Sequence, residues 1–317
     1  MKNLAKLIYM VPIVETNFFG DFEQVEDSKV LIIPTPYEYT TSYGKGTKNG
    51  PQGILNASTK LEFFDDELWS NPQTIGINTS NFVNCEFVNN KTKEPFVELE
   101  QAVRSAVISG CVPVVLGGEH SITYGSMKAI YDLYPEVSIL YFGAQPHLKE
   151  SSQNNKFSSF CTLRQIYNSM PELKISQVGI RSMSKEEIDW LEKDNANIEI
   201  FFAREKNSWT TADILSKLTK NVYISFNFDV LDPGIMPSVG TPEPSGFSFD
   251  QVIDILKNIC TFKDIVGMDF VELSPISGLH APDFLAAKLI YKTIGYTFAR
   301  QLGVFEESES PLAVSEL

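Results

Sequence analysis

Four polar segments of this chain contain residues that can do chemistry, and each of them follows a short apolar run. They are residues 117–121 (Gly-Gly-Glu-His-Ser), 143–147 (Gly-Ala-Gln-Pro-His), 225–233 (Ser-Phe-Asn-Phe-Asp-Val-Leu-Asp-Pro) and 269–275 (Asp-Phe-Val-Glu-Leu-Ser-Pro). Imidazoles and carboxylates bind metal ions, transfer protons and pair with cationic ligands. Each segment taken alone is also typical of a helix end or a turn. Four of them after successive strands form a more specific pattern.

The apolar runs predict the strands that position these segments. Most runs are continuous rather than alternating, which is typical of parallel strands covered on both faces. The predicted strands are residues 30–33, 113–116, 138–142, 177–180, 198–202, 222–226 and 265–270. Helical patterns lie between them, the clearest at residues 96–109, 185–191 and about 282–301. This alternation predicts an α/β fold with three α-β-α layers and a mostly parallel, doubly wound sheet, whose ligand site lies at the carboxyl ends of the strands.

The composition limits the partners and the compartment. The 317 residues include 26 Lys+Arg and 40 Asp+Glu, a formal net charge of −14. Such a surface repels phosphate backbones and anionic lipids, so we expect no nucleic acid and no membrane partner, and it attracts cationic small molecules. The four cysteines form no CxxC pair, which is typical of a reducing compartment, and no apolar run reaches the roughly 18 residues of a membrane span. We therefore expect a cytoplasmic protein.

The domain organisation follows from the absence of breaks in the sequence. No Pro/Gly/Ser-rich linker, internal repeat or low-complexity tract divides the chain. Residues 1–317 are therefore predicted to form a single domain, with a core at about residues 30–300 and an acidic C-terminal tail at residues 306–317.

The four segments resemble the signature motifs of the ureohydrolase family, which comprises arginases, agmatinases, formimidoylglutamases and their relatives. The family has Gly-Gly-Asp-His-Ser, Asp-Ala-His-x-Asp, Ser-Phe-Asp-x-Asp-x-x-Asp-Pro and Glu-x-x-Pro in this order. Further stretches agree, between residues 36 and 51 and at 179–182, 240–244 and 286–290, and the resemblance is closest to agmatinases. It implies an arginase-like fold. In the family, a pair of Mn²⁺ ions generates the hydroxide that attacks a guanidinium carbon and releases urea.

Most of the family's metal ligands are missing from the matching positions. Of the six positions, only the first-motif histidine and one aspartate are retained, as His120 and Asp229. Both aspartates that bridge the metals are replaced, by Gly143 and Asn227. The remaining two positions hold Gln145 in place of a histidine and His147 in place of an aspartate.

These replacements predict that a dinuclear manganese centre does not form. Two divalent ions about 3.5 Å apart repel each other by about 20 kcal/mol at an effective dielectric constant of about 20. The family counters this repulsion with shared carboxylates, whereas here Asp229 is the one carboxylate that aligns. A family Ser-His pair, whose histidine is implied to shuttle protons, corresponds to Ser159 and Phe160. We therefore expect no dinuclear manganese cofactor and at most a single divalent metal.

Two carboxylates on the substrate side are retained. Glu272 matches the glutamate that pairs with the guanidinium in the family, and Glu243 lies in the loop before it. A carboxylate there can form a bidentate pair with a cationic guanidinium or amine. One reading is therefore a metal-free receptor for a polyamine or guanidino compound. The alternative is that Glu272 is inherited and only hydrogen-bonds nearby backbone.

Two further functions remain open. The first is a catalytically inactive or very weak agmatinase or arginase homologue with a binding or regulatory role, acting as a homo-oligomer (trimer or hexamer) or on an active paralogue. The second is an atypical hydrolase that acts on agmatine-like guanidino compounds with one metal ion. His120 and His147, with either Asn227 or Asp229, would suit Zn²⁺ or Fe²⁺ better than Mn²⁺.

Overall fold

A computed structural model describes residues 17–20, 25, 27–86, 95–194 and 197–304, and the predicted acidic tail at 306–317 lies outside these residues. Within these described ranges, eight strands, all parallel, form one sheet with the spatial order β2-β1-β3-β8-β7-β4-β5-β6. In chain order the strands are Val30–Thr35 (β1), Ile77–Thr79 (β2), Val112–Gly117 (β3), Val137–Phe142 (β4), Lys174–Ile180 (β5), Ile198–Phe202 (β6), Asn221–Asn227 (β7) and Asp264–Val271 (β8).

Helices cover both faces of the sheet and complete three layers. They are Gly50–Ser58 (α1), Val97–Ile108 (α2), Thr123–Leu133 (α3), Thr162–Ser169 (α4), Lys185–Asp194 (α5), Thr211–Lys217 (α6), Phe249–Phe262 (α7) and Ala281–Thr297 (α8). Successive strand residues point to opposite layers: Ile32 packs in the apolar cluster beneath α1, α6, α7 and α8, and Ile33 packs in the cluster beneath α2, α3 and α4. Because both faces are covered, most strand residues are apolar whichever layer they point to, and the predicted α/β doubly wound fold is confirmed.

The elements agree with the sequence prediction except at one edge. All seven predicted strands are present, mostly a residue or two longer than predicted. The additional strand, β2, has only three residues, and polar Asn78 and Thr79 occupy two of them. So short a polar segment gives no apolar run to detect. A capping box begins α5, since the Glu187 carboxylate accepts from both the backbone N–H and the hydroxyl of Ser184.

The strand order brings together the segments that carry chemistry. The segments follow β3, β4, β7 and β8, and these strands are the four neighbours at the centre of the sheet, in the order β3-β8-β7-β4. The chain leaves the centre after β4, adds β5 and β6 toward the edge, and returns to the centre with β7 and β8, so residues distant in sequence meet at one edge. Among the helices of the described ranges, none has the length and apolar character that crossing a membrane requires.

Candidate functional site

Hydrogen bonds join the four segments at the carboxyl edge of the sheet. The Glu272 N–H donates to the carbonyl of Gly118 (2.8 Å), and the His120 N–H donates to a carboxylate oxygen of Glu272 (2.8 Å). The Ala144 N–H donates to a carboxylate oxygen of Asp229 (2.8 Å). The segments after β3 and β8 are therefore fixed to each other, and so are the segments after β4 and β7.

A small cavity of about 30 Å³ lies between these segments. The loop at residues 41–44 and the stretch at 240–241 close its sides. Five of the predicted site residues line it, namely Gln145, His147, Asn227, Asp229 and Glu272. The other three, His120, Gly143 and Glu243, do not line it.

A buried chain of hydrogen bonds runs from Asp269 to His147. The Ser225 hydroxyl donates to Asp269 (2.8 Å) and lies 2.9 Å from His120 Nε2, while His120 Nδ1 lies 2.8 Å from His147 Nδ1. A hydroxyl has one proton to donate, and Ser225 donates it to Asp269. The Ser225 oxygen must therefore accept a hydrogen bond from His120 Nε2–H. His120 Nδ1 is then unprotonated and accepts from His147 Nδ1–H, which leaves His147 Nε2 as an acceptor. Asp269 also accepts from the Tyr223 hydroxyl.

Burial keeps both histidines neutral. Desolvation, with a smaller effect of the Lys149 charge, lowers the pKa of His147 to about 3. Desolvation and the neighbouring His147 lower the pKa of His120 well below its usual value. Pro146 does not turn His147 away from the site, although His147 adopts a left-handed backbone conformation (φ 53°). The two imidazoles therefore form a neutral pair with fixed tautomers.

The Tyr141 side chain occupies the space beside Gly143. A Cβ atom added at Gly143 would lie 1.8 Å from the Tyr141 hydroxyl and 2.2 Å from Cζ. The hydroxyl donates to the carbonyl of Gln145 (2.7 Å), and the ring stacks on His120 with centroids 5.0 Å apart. Tyr141 is completely buried. An aspartate side chain at position 143 and the present position of Tyr141 exclude each other.

Asn227 is held in one orientation by its neighbour. Its Oδ1 accepts from the Asp229 N–H (2.9 Å), which fixes the assignment of the amide, because the flipped group would set an NH₂ against an N–H. The Nδ2 atom is buried and has no hydrogen-bond acceptor among the described residues. The amide lies close enough to the Tyr141 hydroxyl and to the Asp229 carboxylate to lower the pKa of both groups, although neither contact meets strict hydrogen-bond geometry. Asn227 is therefore held between these two side chains.

The Asp229 carboxylate is buried, and among the residues that the structure describes no cationic side chain pairs with it directly. Desolvation raises its pKa to about 7, against the opposing effects of the Ala144 N–H and of the Arg181 charge. The Arg181 guanidinium donates to backbone carbonyls, including those of Asp229 (2.7 Å) and Glu243 (2.8 Å), rather than to the carboxylate. Arg181 thus ties the 229–231 turn to the 243–244 loop, and Glu243 contributes its carbonyl to this contact.

Glu272 is the second buried carboxylate of the cavity. Burial raises its pKa to about 8, and the nearby carboxylates of Glu119, Asp229 and Glu38 act in the same direction. Its backbone is left-handed (φ 69°), which directs the side chain back to the His120 N–H. Besides capping this backbone group, Glu272 lines the cavity, and its pairing with a guanidinium or amine stays a prediction.

Two further glutamates hold the loop that closes the cavity. Glu119 accepts hydrogen bonds from the backbone of Tyr39 and Thr40 and from the hydroxyls of Thr40 and Ser121. Glu38 accepts from the Gly46 backbone (2.8 Å). Since its oxygens are used in this way, Glu119 does not turn inward to replace a lost metal ligand.

The residues present do not fit a dinuclear manganese centre. The position of one lost bridging carboxylate is filled by Tyr141, and that of the other presents the amide of Asn227. Both ring nitrogens of His120 are engaged by Ser225 and His147. In the part of the chain that the structure describes, no three His, Cys, Asp or Glu residues are grouped so as to hold a metal ion. We therefore derive no chemistry through a metal pair.

Comparison with known proteins identifies the relatives of this fold. The sequence model described as "Arginase family" matches residues 28–295. An N(1)-aminopropylagmatine ureohydrolase of Thermus thermophilus is 35% identical over 271 residues, covering 85% of this chain and 90% of that protein. An agmatinase of Pyrococcus horikoshii is 31% identical over 271 residues, covering 86% and 93%. The crystal structure of an agmatine ureohydrolase of Thermoplasma volcanium superimposes with a TM-score of 0.79 at 26% identity, covering 95% of this chain and 99% of that one.

These similarities define an agmatinase-like ureohydrolase fold. The chain belongs to the arginase family, whose members are typically manganese-dependent.

Sequence reasoning did not find several residues that shape the site. Tyr141 lies within a predicted strand, and Gly143 directly follows that strand (β4), so the spacing of two residues places both on the same side of the extended chain. This spacing, together with a glycine in place of a larger residue, is the sequence signal that could have indicated that Tyr141 fills the space beside position 143. Ser225 and Asp269 belong to the third and fourth motifs, but the sequence does not indicate that they hydrogen-bond to each other. No sequence signal indicates that the Arg181 side chain donates hydrogen bonds to three backbone segments.

Proposed function

We propose that this protein is an agmatinase-like member of the arginase family that does not hydrolyse guanidino compounds with a manganese pair and instead binds a small ligand in the inherited cavity. The observation that carries the proposal is the Tyr141 hydroxyl, which stands where a side chain at Gly143 would begin. With that space filled and Asn227 at the other bridging position, the site lacks the shared carboxylates that offset the repulsion of two divalent ions.

The ligand class that suits the cavity is a small compound rich in N–H groups, of the agmatine or polyamine type. Asp229 and Glu272 both line the cavity, and each has one oxygen left over after its backbone hydrogen bond. Two buried carboxyl groups with no cation between them favour a ligand that donates hydrogen bonds and carries positive charge. Glu243 lies at the edge of this arrangement and would act through its charge alone.

The physiological role that we propose is binding or regulation. Members of this family are typically oligomeric, so a trimer or hexamer of this chain, or its association with an active paralogue, would couple ligand binding to a partner. All four cysteines are free, which agrees with a cytoplasmic, reducing compartment.

Metal analysis and a urea-release assay test the loss of hydrolysis directly. The purified protein, incubated with excess Mn²⁺ and desalted, is expected to retain far less than two manganese per chain and to release no urea from agmatine or arginine. Two manganese per chain together with urea release would overturn the proposal. Binding is tested separately by calorimetry with agmatine and putrescine on the metal-free protein.

A single-metal hydrolase is the second candidate, and one observation favours it. The Nδ1 atoms of His120 and His147 converge to 2.8 Å, so both could turn their lone pairs toward one ion. This requires His147 to give up the proton that it donates, and a third ligand such as Asp229 to move closer. One zinc or iron per chain that is lost in His147→Gln, with urea release lost in parallel, would establish this reading.

A further inference from the structure

Tyr43 lies at the mouth of the cavity. Its side chain belongs to the cavity wall and is 79% exposed. Among the residues that the structure describes, none forms a ring contact or a hydrogen bond with this side chain. The Gly44 N–H donates to the Gly240 carbonyl (3.1 Å), and a Cβ atom at Gly44 would lie 2.8 Å from that oxygen. This close backbone contact fixes the chain beside Tyr43 and leaves the aromatic ring available to a ligand.

The size of the cavity places the far end of a ligand near this ring. A volume of about 30 Å³ holds roughly two water molecules, which suffices for a small planar head group but not for an alkyl chain as well. A cationic head group beside Asp229 and Glu272 therefore leaves the rest of an agmatine-type ligand outside the cavity. The loop at residues 41–44, which carries Tyr43, is part of the surface that this end of the ligand meets.

Glu243 adds negative charge on the same side of the cavity. It follows Thr241 of the cavity wall, and its N–H donates to the Thr241 carbonyl (2.9 Å). Burial is the largest cause of the raised pKa of Asp229, and the Glu243 charge acts in the same direction, so this charge reaches the cavity. The nearby Arg181 guanidinium donates to the backbone carbonyls of Asp229 and Glu243 rather than to their carboxylates.

A positive charge lies on another part of the wall. Lys149 Nζ lies 5.0 Å from the ring centroid of Phe160, which lines the cavity. Burial is the main cause of the lowered pKa of His147, and the Lys149 charge contributes to it. A cation thus already lies over one face of the Phe160 ring, and a second ammonium group there would be repelled. The charges around the mouth therefore direct a distal cation toward Tyr43 and Glu243.

We propose that Tyr43 and Glu243 form an outer subsite for a second cation, so that the cavity recognises a ligand with two positive charges. One charge lies on the guanidinium or amine inside the cavity, and the other lies on a distal primary amine over the Tyr43 ring. The face of an aromatic ring attracts an ammonium group through the ring quadrupole, and Glu243 contributes its charge. The inference rests on the proposed function, since it assumes that the inherited cavity binds a cationic head group without a metal pair.

A matched pair of ligands tests this inference on the full chain. Agmatine and n-butylguanidine share the guanidinium and the four-carbon chain, and they differ only in the distal amine. Their affinities are measured by calorimetry after treatment of the protein with EDTA. We expect agmatine to bind the unchanged protein at least about tenfold more tightly, which corresponds to about 1.4 kcal/mol.

Variants separate the aromatic ring from its apolar surface and from the general field of an acidic chain. Tyr43→Leu should lower the ratio of the two affinities by about threefold because it removes the aromatic face, whereas Tyr43→Phe should keep the ratio. Glu243→Gln should lower the ratio by a similar factor. Tyr39→Leu changes an exposed tyrosine of the same loop that is not on the cavity wall, and it is the control for the ring. Glu136→Gln, directly before β4 and so at the opposite edge of the sheet, is the control for the charge.

The outcomes separate this inference from the proposed function. If n-butylguanidine binds the unchanged protein as tightly as agmatine, the outer subsite does not exist, and binding of a cationic head group stands. If the preference for agmatine persists in Tyr43→Leu and Glu243→Gln, with both variants folded by circular dichroism, the distal amine is recognised elsewhere and the inference also fails. An equal loss in the two controls would attribute the preference to the general field of the chain and would overturn the inference as well. If neither compound binds the unchanged protein, the ligand part of the proposed function fails together with it.

Discussion

Tyr141 and Gly143 decide whether the ancestral metal site can be rebuilt. The tyrosine hydroxyl, donating to Gln145, and its ring, stacked on His120, fill the volume above Gly143. Restoring carboxylates at 143 and 227 would therefore not suffice to recover metal binding. The Tyr141 ring would have to rotate out of the way, and this requirement cannot be read from the ligand positions alone.

Gly143→Ala measures how firmly Tyr141 is held. The added methyl group meets the tyrosine hydroxyl far inside contact distance, so we expect the free energy of unfolding to fall by about 1–3 kcal/mol, as in other overpacked cores. Urea denaturation gives this value, and Gly234→Ala at an exposed position is the control, with little effect expected. A Gly143→Ala protein as stable as the unchanged one would mean that Tyr141 moves freely.

Ser225→Ala tests the hydrogen-bond chain that fixes the histidine tautomers. The substitution leaves His120 Nε2–H and one oxygen of Asp269 buried without their partner, a loss that costs about 1–3 kcal/mol. We expect this decrease in urea denaturation, whereas the exposed Ser216→Ala should change stability by less than about 0.5 kcal/mol. Equal stability of the two variants would contradict the assigned chain.

The loop between β1 and α1 closes the cavity because acidic side chains hold its backbone. Glu119 accepts from two successive N–H groups of this loop, and Glu38 accepts from a third farther along. A carboxylate accepts such bonds with both of its oxygens, whereas an amide side chain has only one acceptor oxygen. The loop is thus fixed by the segment after β3, which also contains His120.

Glu119→Gln should loosen this loop without unfolding the sheet. Its NH₂ group would face the Tyr39 and Thr40 N–H groups or the Thr40 and Ser121 hydroxyls, so some of these bonds are lost. We expect hydrogen exchange of the Tyr39 and Thr40 amides to become at least about tenfold faster, while amides of the central strands keep their rates. The exposed Glu136→Gln is the control, and unchanged exchange in Glu119→Gln would show that the carboxylate does not hold the loop.

A partly buried ion cluster outside the cavity ties α8 to the segment that follows α1. Lys292 of α8 is paired with the fully buried Asp65 (3.0 Å) and with Glu67 (2.9 Å), and Glu67 also pairs with Lys257 of α7. Burial opposes ionisation of Glu67, but its hydrogen bonds with Lys257, Tyr296 and Lys292 outweigh it and lower its pKa to about 2. The cluster connects residues more than two hundred positions apart.

The stability of the whole fold should depend on pH through Glu67. Because its folded pKa is below the unfolded value of about 4.5, the contribution is complete above that pH and is lost as the pH falls toward 2. We expect Glu67→Gln to be less stable than the unchanged protein at about pH 6 and the difference to shrink at about pH 3. Urea denaturation at both pH values measures it, and a difference that is constant with pH would exclude this linkage.

The fold was predictable because the relevant signal is local. Continuous apolar runs such as the one in β4 exist only where both faces of a strand are covered, and helical periodicity between them leaves a parallel, doubly wound sheet. The edge strand β2 was not predictable because its three residues, two of them polar, do not form an apolar run. That residues 1–317 form one domain stays a prediction.

The candidate site was predictable in its residues but not in their contacts. His120, Asp229 and Glu272 follow strands in motifs that the sequence displays, so their presence near one edge could be inferred. Which groups they contact depends on rotamers and on neighbours from other strands. The absence of Glu243 from the cavity wall and the commitment of Glu119 to the loop are results of this kind.

The sequence by itself determined the family, the three-layer fold and the deficit of negative charge at the old metal positions, because these depend on residue identity and order along the chain. Only the tertiary structure decided what replaced the metals. A tyrosine enters the space above a glycine, and an asparagine packs between that tyrosine and Asp229, because side chains from separate segments compete for one volume. That competition exists only once β3, β8, β7 and β4 lie side by side.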